Sequence, residues 1–205
     1  MDFSKFSKER KRIEAITKEE MEKKFSFSFL NELQFSSPRI LRWVNSKCEK
    51  RLRSENYRAQ NSWMHSLYLD DFKKKHLPKL FIKHVNQLVG YGLFAADDLA
   101  ELSLIGEYTG IVRRRRRWSD RQNAYIFGYV VGPHDTPYVI DAKEKGNLTR
   151  FINHSETPNC ISRWMIVDGV CHVIFFTNKL IKAGEQLTYN YGPHFWKNRM
   201  YPLEL

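Results

Sequence analysis

The sequence has few cysteines and no long apolar run, and each scarcity excludes a class of protein. Its three cysteines, Cys48, Cys160 and Cys171, lie far apart and are odd in number. This argues against a disulfide scaffold and favours reduced thiols in a cytosol or nucleus. No apolar stretch approaches the roughly 20 residues of a membrane span, so no membrane partner is expected. The start, MDFSKFSKERKR, lacks the apolar segment of a classical signal peptide, which leaves export by another route open.

The composition permits a folded core and makes the chain strongly basic. Of the 205 residues, 42% are hydrophobic and 14% are aromatic, which fits one domain with an appendage. The net charge of +11 is uneven, since residues 1–85 carry 20 Lys/Arg against 11 Asp/Glu and residues 86–205 carry 14 against 12. The excess predicts a nucleic acid, an acidic protein surface or a nucleoprotein as partner. A solvated helical surface is the competing explanation.

Hydrophobic periodicity predicts that residues 1–78 form a basic α-helical region. A charged helix is expected at 8–24. A second helix is expected at 38–58, where Pro38 suits the first helical position. A third is expected at 60–77.

After Pro78 the pattern changes to short β-rich segments with Gly and Pro turns. This texture predicts a mostly β fold over residues 79–192. Residues 193–205 form a third part, a C-terminal aromatic tail.

Four short motifs stand in order within the β-rich part. They are VGYGLFA at 89–95, GEYTG at 106–110, GNLTRFINHSETPN at 146–159 and GEQLTYNYG at 184–192. Each is a weak signal alone, because a Gly-x-Gly turn is common. In this order and spacing they resemble the SET-domain protein lysine methyltransferases. The resemblance implies a mostly β SET fold, made of small curved β-sheets with a C-terminal pseudoknot, preceded here by the α-helical N-terminal region.

The resemblance also implies S-adenosylmethionine as the methyl donor and a lysine side chain as the acceptor, entering from opposite faces. A zwitterionic and cationic cofactor needs many convergent partners in one pocket, which would explain why the polar residues of RFINHS are bunched. Glycines let the backbone approach a ligand without a Cβ in the way. The residues that match the family's cofactor-binding positions are Gly90, Tyr91, Gly92, Leu93, Tyr125, Arg150, Phe151, Asn153 and His154.

Methyl transfer in this family is an in-line displacement by a neutral amine, so the lysine, with a pKa of about 10.4 in water, must lose its proton. A dry aromatic channel beside a sulfonium favours the neutral amine and tolerates an alkylammonium product. The candidate catalytic residues are Tyr191, Tyr189 and Tyr108. Tyr191 resembles the family's catalytic tyrosine and would orient the amine rather than act as a general base. Tyr189 stands where the family carries Phe or Tyr, and its hydroxyl predicts mono- or dimethylation. Core packing is the alternative role of these rings.

The cysteine clusters that bind zinc in many relatives are missing. Cys48 stands alone upstream, no cysteine follows Cys171, and Glu156 follows Asn-His-Ser where zinc-binding members carry Cys. A tetrahedral site needs about four ligands, so no metal is expected. The tail offers Phe195 and Trp196 instead. Trp196 is therefore a further candidate for cofactor binding, covering the adenine and walling the lysine channel, and a simple C-terminal staple is the alternative.

Two roles stay open for the run Arg113–Arg117, which follows a predicted strand. It would meet an acidic substrate surface or DNA phosphates, or it is a solvated loop. The histidines His65, His76, His84 and His172 show no ligand spacing and are expected to be structural or surface residues.

The leading interpretation is an S-adenosylmethionine-dependent protein-lysine N-methyltransferase acting on histones or histone-like proteins. A chain of charge +11 repels a bare basic tail, and contact with nucleic acid or a nucleosome through the basic N-terminal region would resolve this. The same region would otherwise supply a homodimer contact. Two alternatives stay open: a methyltransferase of a non-histone protein, such as a ribosomal one, and a non-enzymatic chromatin or nucleic-acid binder on a SET scaffold.

The short, zinc-free layout is similar to that of bacterial SET proteins, including chlamydial effectors exported into host cells to act on chromatin. The runs KERKR and RRRRR would serve as nuclear import signals. The expected location is the nucleus, which is the host nucleus for a secreted bacterial effector, or the cytoplasm.

Overall fold

The computed structural model describes residues 18–116, 118–131 and 135–196. The first part of the predicted helix at 8–24, Arg117 of the arginine run and residues 197–205 of the predicted tail lie outside the described residues. The helices and strands, in chain order, are α1 (Lys18–Phe25), β1 (Ser28–Phe29), β2 (Gln34–Phe35), α2 (Pro38–Leu52), α3 (Glu55–Lys74), β3 (Leu80–Asn86), β4 (Gly90–Ala95), β5 (Leu104–Glu107), β6 (Ile111–Arg114), β7 (Ile126–Val130), β8 (Asp135–Asp141), β9 (Lys145–Gly146), β10 (Asn153–His154), β11 (Cys160–Val167), β12 (Val170–Thr177), β13 (Thr188–Tyr189) and α4 (Pro193–Trp196).

The two long helices of the N-terminal region are confirmed, with a shifted boundary between them. Helix α2 begins at Pro38, as predicted, and the Oγ of Ser37 accepts a hydrogen bond from a backbone N–H of its first turn at 3.4 Å. Helix α3 begins at Glu55 rather than near residue 60, because Ser54 takes an extended conformation and interrupts the helical path there. Polar residues follow Ser54, so the apolar pattern did not mark this start.

Helices α2 and α3 each bury one face against the β-sheets. Ile40, Val44 and Cys48 lie one turn apart on α2 and are buried, which is the face that packs against β12. On α3, the Tyr68 ring stacks on Phe176 of β12 with ring centres 4.9 Å apart. The two helices therefore share the sheet that contains β12 as their support.

Beyond Pro78 the described chain is built of short strands in small sheets. One sheet has the strand order β2-β6-β8-β7, and another has the order β11-β12-β5. Strands β3 and β4 form an antiparallel pair. Strands β1 and β9, and likewise β10 and β13, form two-stranded parallel pairs. This architecture confirms the predicted mostly β class with helices at its N-terminal side.

The N-terminal region contributes strands as well as helices. Ser28 of β1 pairs with Lys145 of β9, and Gln34 of β2 pairs with Ile111 of β6. The last two residues of the FSFSF alternation thus form β1, and the first residue of FSSP ends β2. The division of the chain at 78/79 stays a prediction, because these strand pairs join the two sides.

The three cysteines are buried free thiols. Burial raises the pKa of Cys48 to about 12 and that of Cys160 to about 12, so both remain protonated and unreactive at neutral pH. In the part of the chain that the structure describes, no helix is both long and apolar enough to cross a membrane.

Candidate active site

The glycines of VGYGLFA lie in β4, next to two side-chain amides. Gly90 has a φ of +77°, a left-handed conformation that favours glycine. A Cβ on Gly92 would lie 2.6 Å from Nε2 of Gln186 and 3.0 Å from Nδ2 of Asn153. The Asn153 amide donates to the carbonyl oxygen of Tyr91 at 3.1 Å. The missing side chain at Gly92 therefore lets two amides come close to the turn.

The segment that leads to RFINHS is shaped by Asn147. Its Oδ1 accepts from the N–H of Thr149 at 3.1 Å and caps the short 3-10 helix Leu148–Phe151. Its Nδ2 donates to the carbonyl oxygen of Glu107 at 2.8 Å. These bonds hold the 3-10 helix against β5 and fix the backbone from which the Arg150 side chain starts.

Arg150 is a buried cation surrounded by aromatic rings. The residue is 7% exposed, and its guanidinium carbon lies 3.8 Å from the ring centre of Tyr125, 4.5 Å from that of Phe27 and 5.3 Å from that of Phe151. Among the described residues, its Nε and Nη1 atoms are buried without a hydrogen-bond partner. Burial lowers the pKa of the guanidinium. Buried donors without acceptors are costly, so the site fits a ligand that brings acceptor atoms.

Strands β10 and β13 join two motifs that are far apart in the sequence. They pair in parallel, with His154 opposite Tyr189. The side chain of Asn159 stabilises this pairing. Its Nδ2 donates to the carbonyl of Gln186 and its Oδ1 accepts from the N–H of Thr188, both at 2.8 Å. This long-range pairing brings RFINHS beside TYNYG.

His154 links the paired strands β10 and β13 to the end of the described chain. Its Nδ1 accepts from the N–H of Tyr191 at 3.1 Å, which assigns the ring proton to Nε2. Nε2 lies 3.1 Å from Oε1 of Glu156, whose other oxygen accepts from Nδ2 of Asn190 at 3.1 Å. The ring of Trp196 meets the imidazole edge to face, with centres 4.9 Å apart. Glu156, which follows the Asn-His-Ser motif, therefore orients this histidine.

The three candidate tyrosines belong to one aromatic cluster. The ring centre of Tyr189 lies 4.6 Å from that of Tyr191 and 4.8 Å from that of Phe175. Phe127 bridges the remaining distance, with its ring centre 6.1 Å from Tyr189 and 5.1 Å from Tyr108. The cluster is therefore apolar along its ring faces and polar only at the phenol hydroxyls.

Two hydroxyls of the cluster donate hydrogen bonds to backbone carbonyls. The hydroxyl of Tyr191 donates to the carbonyl of Ile152 at 2.8 Å, and that of Tyr108 donates to the carbonyl of Tyr125 at 3.0 Å. Burial, followed by the neighbouring Tyr191, raises the pKa of Tyr108 far above its ordinary value. Burial, followed by Tyr191 and Tyr108, raises the pKa of Tyr189 in the same way. Phenols in this state can orient a nitrogen lone pair, but they are poor bases.

Helix α4 places the tail aromatics on Tyr191. The Trp196 ring is almost parallel to that of Tyr191, at 10° and 6.0 Å between centres. The Phe195 ring meets Tyr191 edge to face at 4.6 Å. Trp196 therefore lies against the predicted catalytic tyrosine as well as His154, which suits a wall of the channel.

The arginine run divides into buried and exposed members. The Arg113 side chain is 12% exposed, and its Nη2 lies 2.5 Å from Oδ1 of Asp120 and 2.7 Å from Oδ2 of Asp141. Both roles proposed for the whole run are therefore wrong for Arg113, because two carboxylates draw it inward. Arg114, Arg115 and Arg116 are exposed, and both roles stay open for them.

The Arg113 ion pairs support the predicted cofactor site indirectly. Oδ1 of Asp141 accepts from Nδ2 of Asn123 at 2.9 Å, and Oδ1 of Asn123 accepts from the N–H of Tyr125 at 2.9 Å. Tyr125 carries the ring that faces Arg150. The sequence alone did not reveal this chain of contacts, since acidic residues within a basic loop give no periodic signal.

Two aromatic residues near the N-terminus also belong to the site and were missed. The ring centre of Phe25 lies 4.8 Å from that of Tyr91 and 4.8 Å from that of Phe151. Phe27 faces Arg150, as described above. The FSFSF alternation does not reveal them, because Phe25 ends α1 and Phe27 precedes β1, so the two rings do not share a strand face.

The remaining predicted residues are placed as follows. Leu93 lies in β4 with its side chain 0% exposed in the core, and its carbonyl accepts from the N–H of Leu187 at 2.8 Å. His172 pairs with Glu107, with 2.6 Å between Nδ1 and Oε1, as a structural residue would. Over the described ranges, no group of three or more His, Cys, Asp and Glu side chains is placed to hold a metal ion. The expectation of no metal stays a prediction.

The family model described as SET domain matches residues 90–192, which is 103 of the 205 residues. The chain therefore belongs to the SET-domain family, as its motifs suggested.

Curated relatives that the chain resembles are histone-lysine N-methyltransferases by name. The set-2 enzyme of Caenorhabditis elegans is 35% identical over 129 residues, covering 60% of this chain and 9% of the relative. Human SETD2 is 38% identical over 106 residues, covering 50% of this chain and 4% of the relative. Human histone-lysine N-methyltransferase 2D is 29% identical over 187 residues, covering 88% of this chain and 3% of the relative. The chain thus spans only a small fraction of these relatives.

Solved structures give the same result for the fold. A structure of an active polycomb repressive complex 2 in the stimulated state has a TM-score of 0.52 at 31% identity, covering 60% of this chain and 16% of that chain. A ctPRC2 structure bound to S-adenosylmethionine has a TM-score of 0.51 at 31% identity, covering 59% and 16%. The described strands are therefore arranged as in the SET portion of larger proteins.

Proposed function

We propose that this chain is an S-adenosylmethionine-dependent protein-lysine N-methyltransferase that acts on histones or histone-like proteins. The observation that carries the proposal is the parallel pairing of β10 and β13. This pairing joins the segment after Arg150, which carries buried donors without partners as Gln186 does, to the tyrosine cluster. One side suits a polar cofactor, and the other suits an aromatic channel for an amine.

The donor set fits the amino-acid end of S-adenosylmethionine. Nε and Nη1 of Arg150 and Nε2 of Gln186 are buried N–H donors without a protein acceptor among the described residues. A carboxylate would satisfy such donors. Gly92 has no side chain, so a ligand could approach its backbone closely. Asn153 and His154 lie on the neighbouring strand β10. When bound, the cofactor supplies an electrophilic methyl group on a sulfonium.

The tyrosine cluster would prepare the lysine. Its ring faces exclude water, and desolvation favours the neutral amine over the ammonium. The Tyr191 hydroxyl, now held by the carbonyl of Ile152, would orient the amine lone pair. The Tyr189 hydroxyl would occupy space beside the amine, which favours mono- or dimethylation. Tyr108, held by the carbonyl of Tyr125, would complete the wall.

Histones are the proposed substrate because the relatives are named histone-lysine methyltransferases. A net charge of +11 opposes contact with a free basic tail, which favours a nucleoprotein over the bare protein. The basic N-terminal region would then contact nucleic acid or, alternatively, a second copy of this chain. Such a substrate places the protein in a nucleus, which is the host nucleus for an exported effector. A cytoplasmic location would go with a non-histone substrate.

The test is transfer of tritiated methyl from S-adenosylmethionine to three substrate pools: reconstituted nucleosomes, free core histones and ribosomal proteins. We expect incorporation into histone lysines, mapped by tandem mass spectrometry, with nucleosomes preferred. Preferential labelling of ribosomal proteins would instead favour the non-histone alternative. Binding of S-adenosylmethionine without transfer to any pool would favour a non-enzymatic binder.

A further inference from the structure

A cleft of about 380 Å³ lies between α2 and the β7–β8 hairpin, and it contains none of the predicted catalytic or cofactor-binding residues. We call it the basic cleft. Its lining residues are Trp43, Lys47, Lys50, Arg51, Ser54, Val131, Thr136 and Pro137. Three of these carry a positive charge and none is acidic.

The cleft follows from the way α2 packs. Ile40, Val44 and Cys48 face the core, so the neighbouring stripe of the same helix is turned toward the hairpin. Trp43 begins that stripe, and its ring meets the ring of Tyr138 on β8 edge to face at 4.9 Å. Lys47 stands one turn further along the helix. The cations are thus fixed on a rigid element and do not belong to a loop.

A second source of positive charge borders the hairpin. Arg114 of β6 pairs directly with Tyr138 of β8, so the two side chains lie on one face of the sheet. Arg115 donates its backbone N–H to the carbonyl of Pro137 at 2.8 Å. Both arginines are exposed. The solvated part of the arginine run therefore adjoins the basic cleft.

Aromatic rings are interleaved with the cations. Nζ of Lys47 lies 5.4 Å from the ring centre of Trp43. The guanidinium carbon of Arg51 lies 4.2 Å from the ring centre of Tyr57, and its Nη2 donates to the carbonyl of Val131 at 3.2 Å. These contacts hold the side chains in place, with Lys47 exposed and Arg51 half-buried.

We propose that the basic cleft binds the phosphodiester backbone of a nucleic acid. This inference rests on the proposed function, because a basic enzyme needs an anionic component in its substrate to overcome repulsion from a basic protein. It adds the residues that would make the contact, on α2 and at the edge of β6, to the general charge of the N-terminal region.

A phosphodiester chain fits the cleft better than a single anion or an acidic protein segment. Lys47 and Arg51 are one helical turn apart, about 6 Å along the axis, which presents repeated charges to a polymer of repeated charges. Arg114 extends the series on a different element. An acidic protein would need its carboxylates placed to match the individual cations of the cleft, and a single row of cations does not select such a pattern. Backbone binding requires only cations along a path.

The test is fluorescence anisotropy with a short labelled DNA duplex, without S-adenosylmethionine, at several salt concentrations. Variant Lys47→Ala/Lys50→Ala should bind DNA about tenfold more weakly, and the slope of log K against log salt should fall by about two. Arg114→Ala, at the border of the cleft, should lower the slope by about one. The matched control is Lys143→Ala/Lys179→Ala, which removes two exposed cations elsewhere and should keep nearly the wild-type slope.

Three outcomes would overturn the inference: no DNA binding by the wild type, equal losses in the cleft and control variants, or competition by polyglutamate as strong as that by DNA of equal charge. The last result would assign the cleft to an acidic protein. Methyl transfer to free histones separates this inference from the proposed function. The cleft variants should retain that activity and lose only the preference for nucleosomes.

Discussion

At the residue scale, Arg150 combines features that stable proteins avoid: burial, charge and donors without acceptors. The aromatic rings of Tyr125 and Phe27 contact the guanidinium, but its Nε and Nη1 atoms stay buried without an acceptor among the described residues. Keeping such a group is costly unless a ligand completes it. This is the strongest single indication of where an anionic group docks.

Substituting Arg150→Met should separate ligand binding from stability. We expect affinity for S-adenosylmethionine to fall at least tenfold, because charge-assisted hydrogen bonds are lost, each worth about 1.5–3 kcal/mol. Thermal stability of the free protein should be unchanged or higher, because an unsatisfied buried charge is removed. Calorimetric titration and thermal unfolding measure the two effects, and Arg163→Met, at an exposed position, is the control. Undiminished affinity in Arg150→Met would exclude the proposed anchor.

Tyr189 should set the number of methyl groups transferred. Its hydroxyl lies within the tyrosine cluster and stays protonated. Removing the hydroxyl in Tyr189→Phe leaves more space beside the amine, so the product pattern should shift toward higher methylation. Mass spectrometry of a histone substrate at matched turnover gives the answer. An identical ratio of mono-, di- and trimethyl products in both proteins would show that this hydroxyl does not limit the space.

At the element scale, the most informative case is the loop that begins at β6. The sequence predicts one basic run, whereas the structure divides it at Arg113, which turns inward to Asp120 and Asp141. Burial alone would raise the pKa of the Asp120 carboxyl. Hydrogen bonds from Arg113 and from the N–H of Arg116, with their charges, instead hold it below its ordinary value.

This ion pair predicts a pH dependence of folding. A lowered pKa in the folded state means that the contribution is fully present above the unfolded value of about 3.9 and is lost as pH falls through the folded value. Asp120→Asn should therefore lower the free energy of unfolding by about 1–3 kcal/mol at neutral pH. The loss is limited because Arg113 retains its ion pair with Asp141. The difference from wild type should shrink below about pH 4.

Urea unfolding across this pH range measures the effect. Asp70→Asn, which removes an exposed partner of Lys74, is the control and should change little at any pH. A constant difference between Asp120→Asn and wild type down to the lowest pH would mean that the carboxylate charge is not the source of the stability.

The strands show what sequence reasoning can and cannot recover at this scale. The helical stripe of Ile40, Val44 and Cys48 was readable because burial repeats with the helix period. The short strands β1 and β2 were not, because two-residue strands take their partners, β9 and β6, from distant positions. Local pattern carries no information about such partners. For the same reason Phe25 was missed, although it packs on Tyr91 and Phe151.

At the scale of the whole molecule, the chain is a SET domain with helices packed on its sheets. The fold class was predictable from four motifs, and the pairing of β10 with β13 brings two of these motifs together in the structure. The roles of the site residues stay predictions. The basic cleft was not predictable, because it needs α2 and the β7–β8 hairpin to meet in space. The sequence showed the excess of charge, and the fold shows where part of it is concentrated.

The whole arrangement predicts that cofactor binding and methyl transfer can be separated at a single hydroxyl. Tyr191 donates to the carbonyl of Ile152 and lies beside Tyr189 and Trp196, whereas the buried donors without partners are on Arg150 and Gln186. Replacing Tyr191→Phe removes an orienting group and leaves the aromatic wall in place. Positioning effects of this kind are worth about 100-fold or more in rate.

The decisive measurement is the rate of tritiated methyl transfer from S-adenosylmethionine to histone lysines by purified wild type and Tyr191→Phe, with cofactor affinity determined on the same samples. The wild type should transfer the label. Tyr191→Phe should bind the cofactor within a few-fold of wild type and transfer methyl about 100-fold more slowly. A wild type that neither binds the cofactor nor labels histones, or a Tyr191→Phe protein as fast as wild type, would contradict a tyrosine-lined methyl-transfer site.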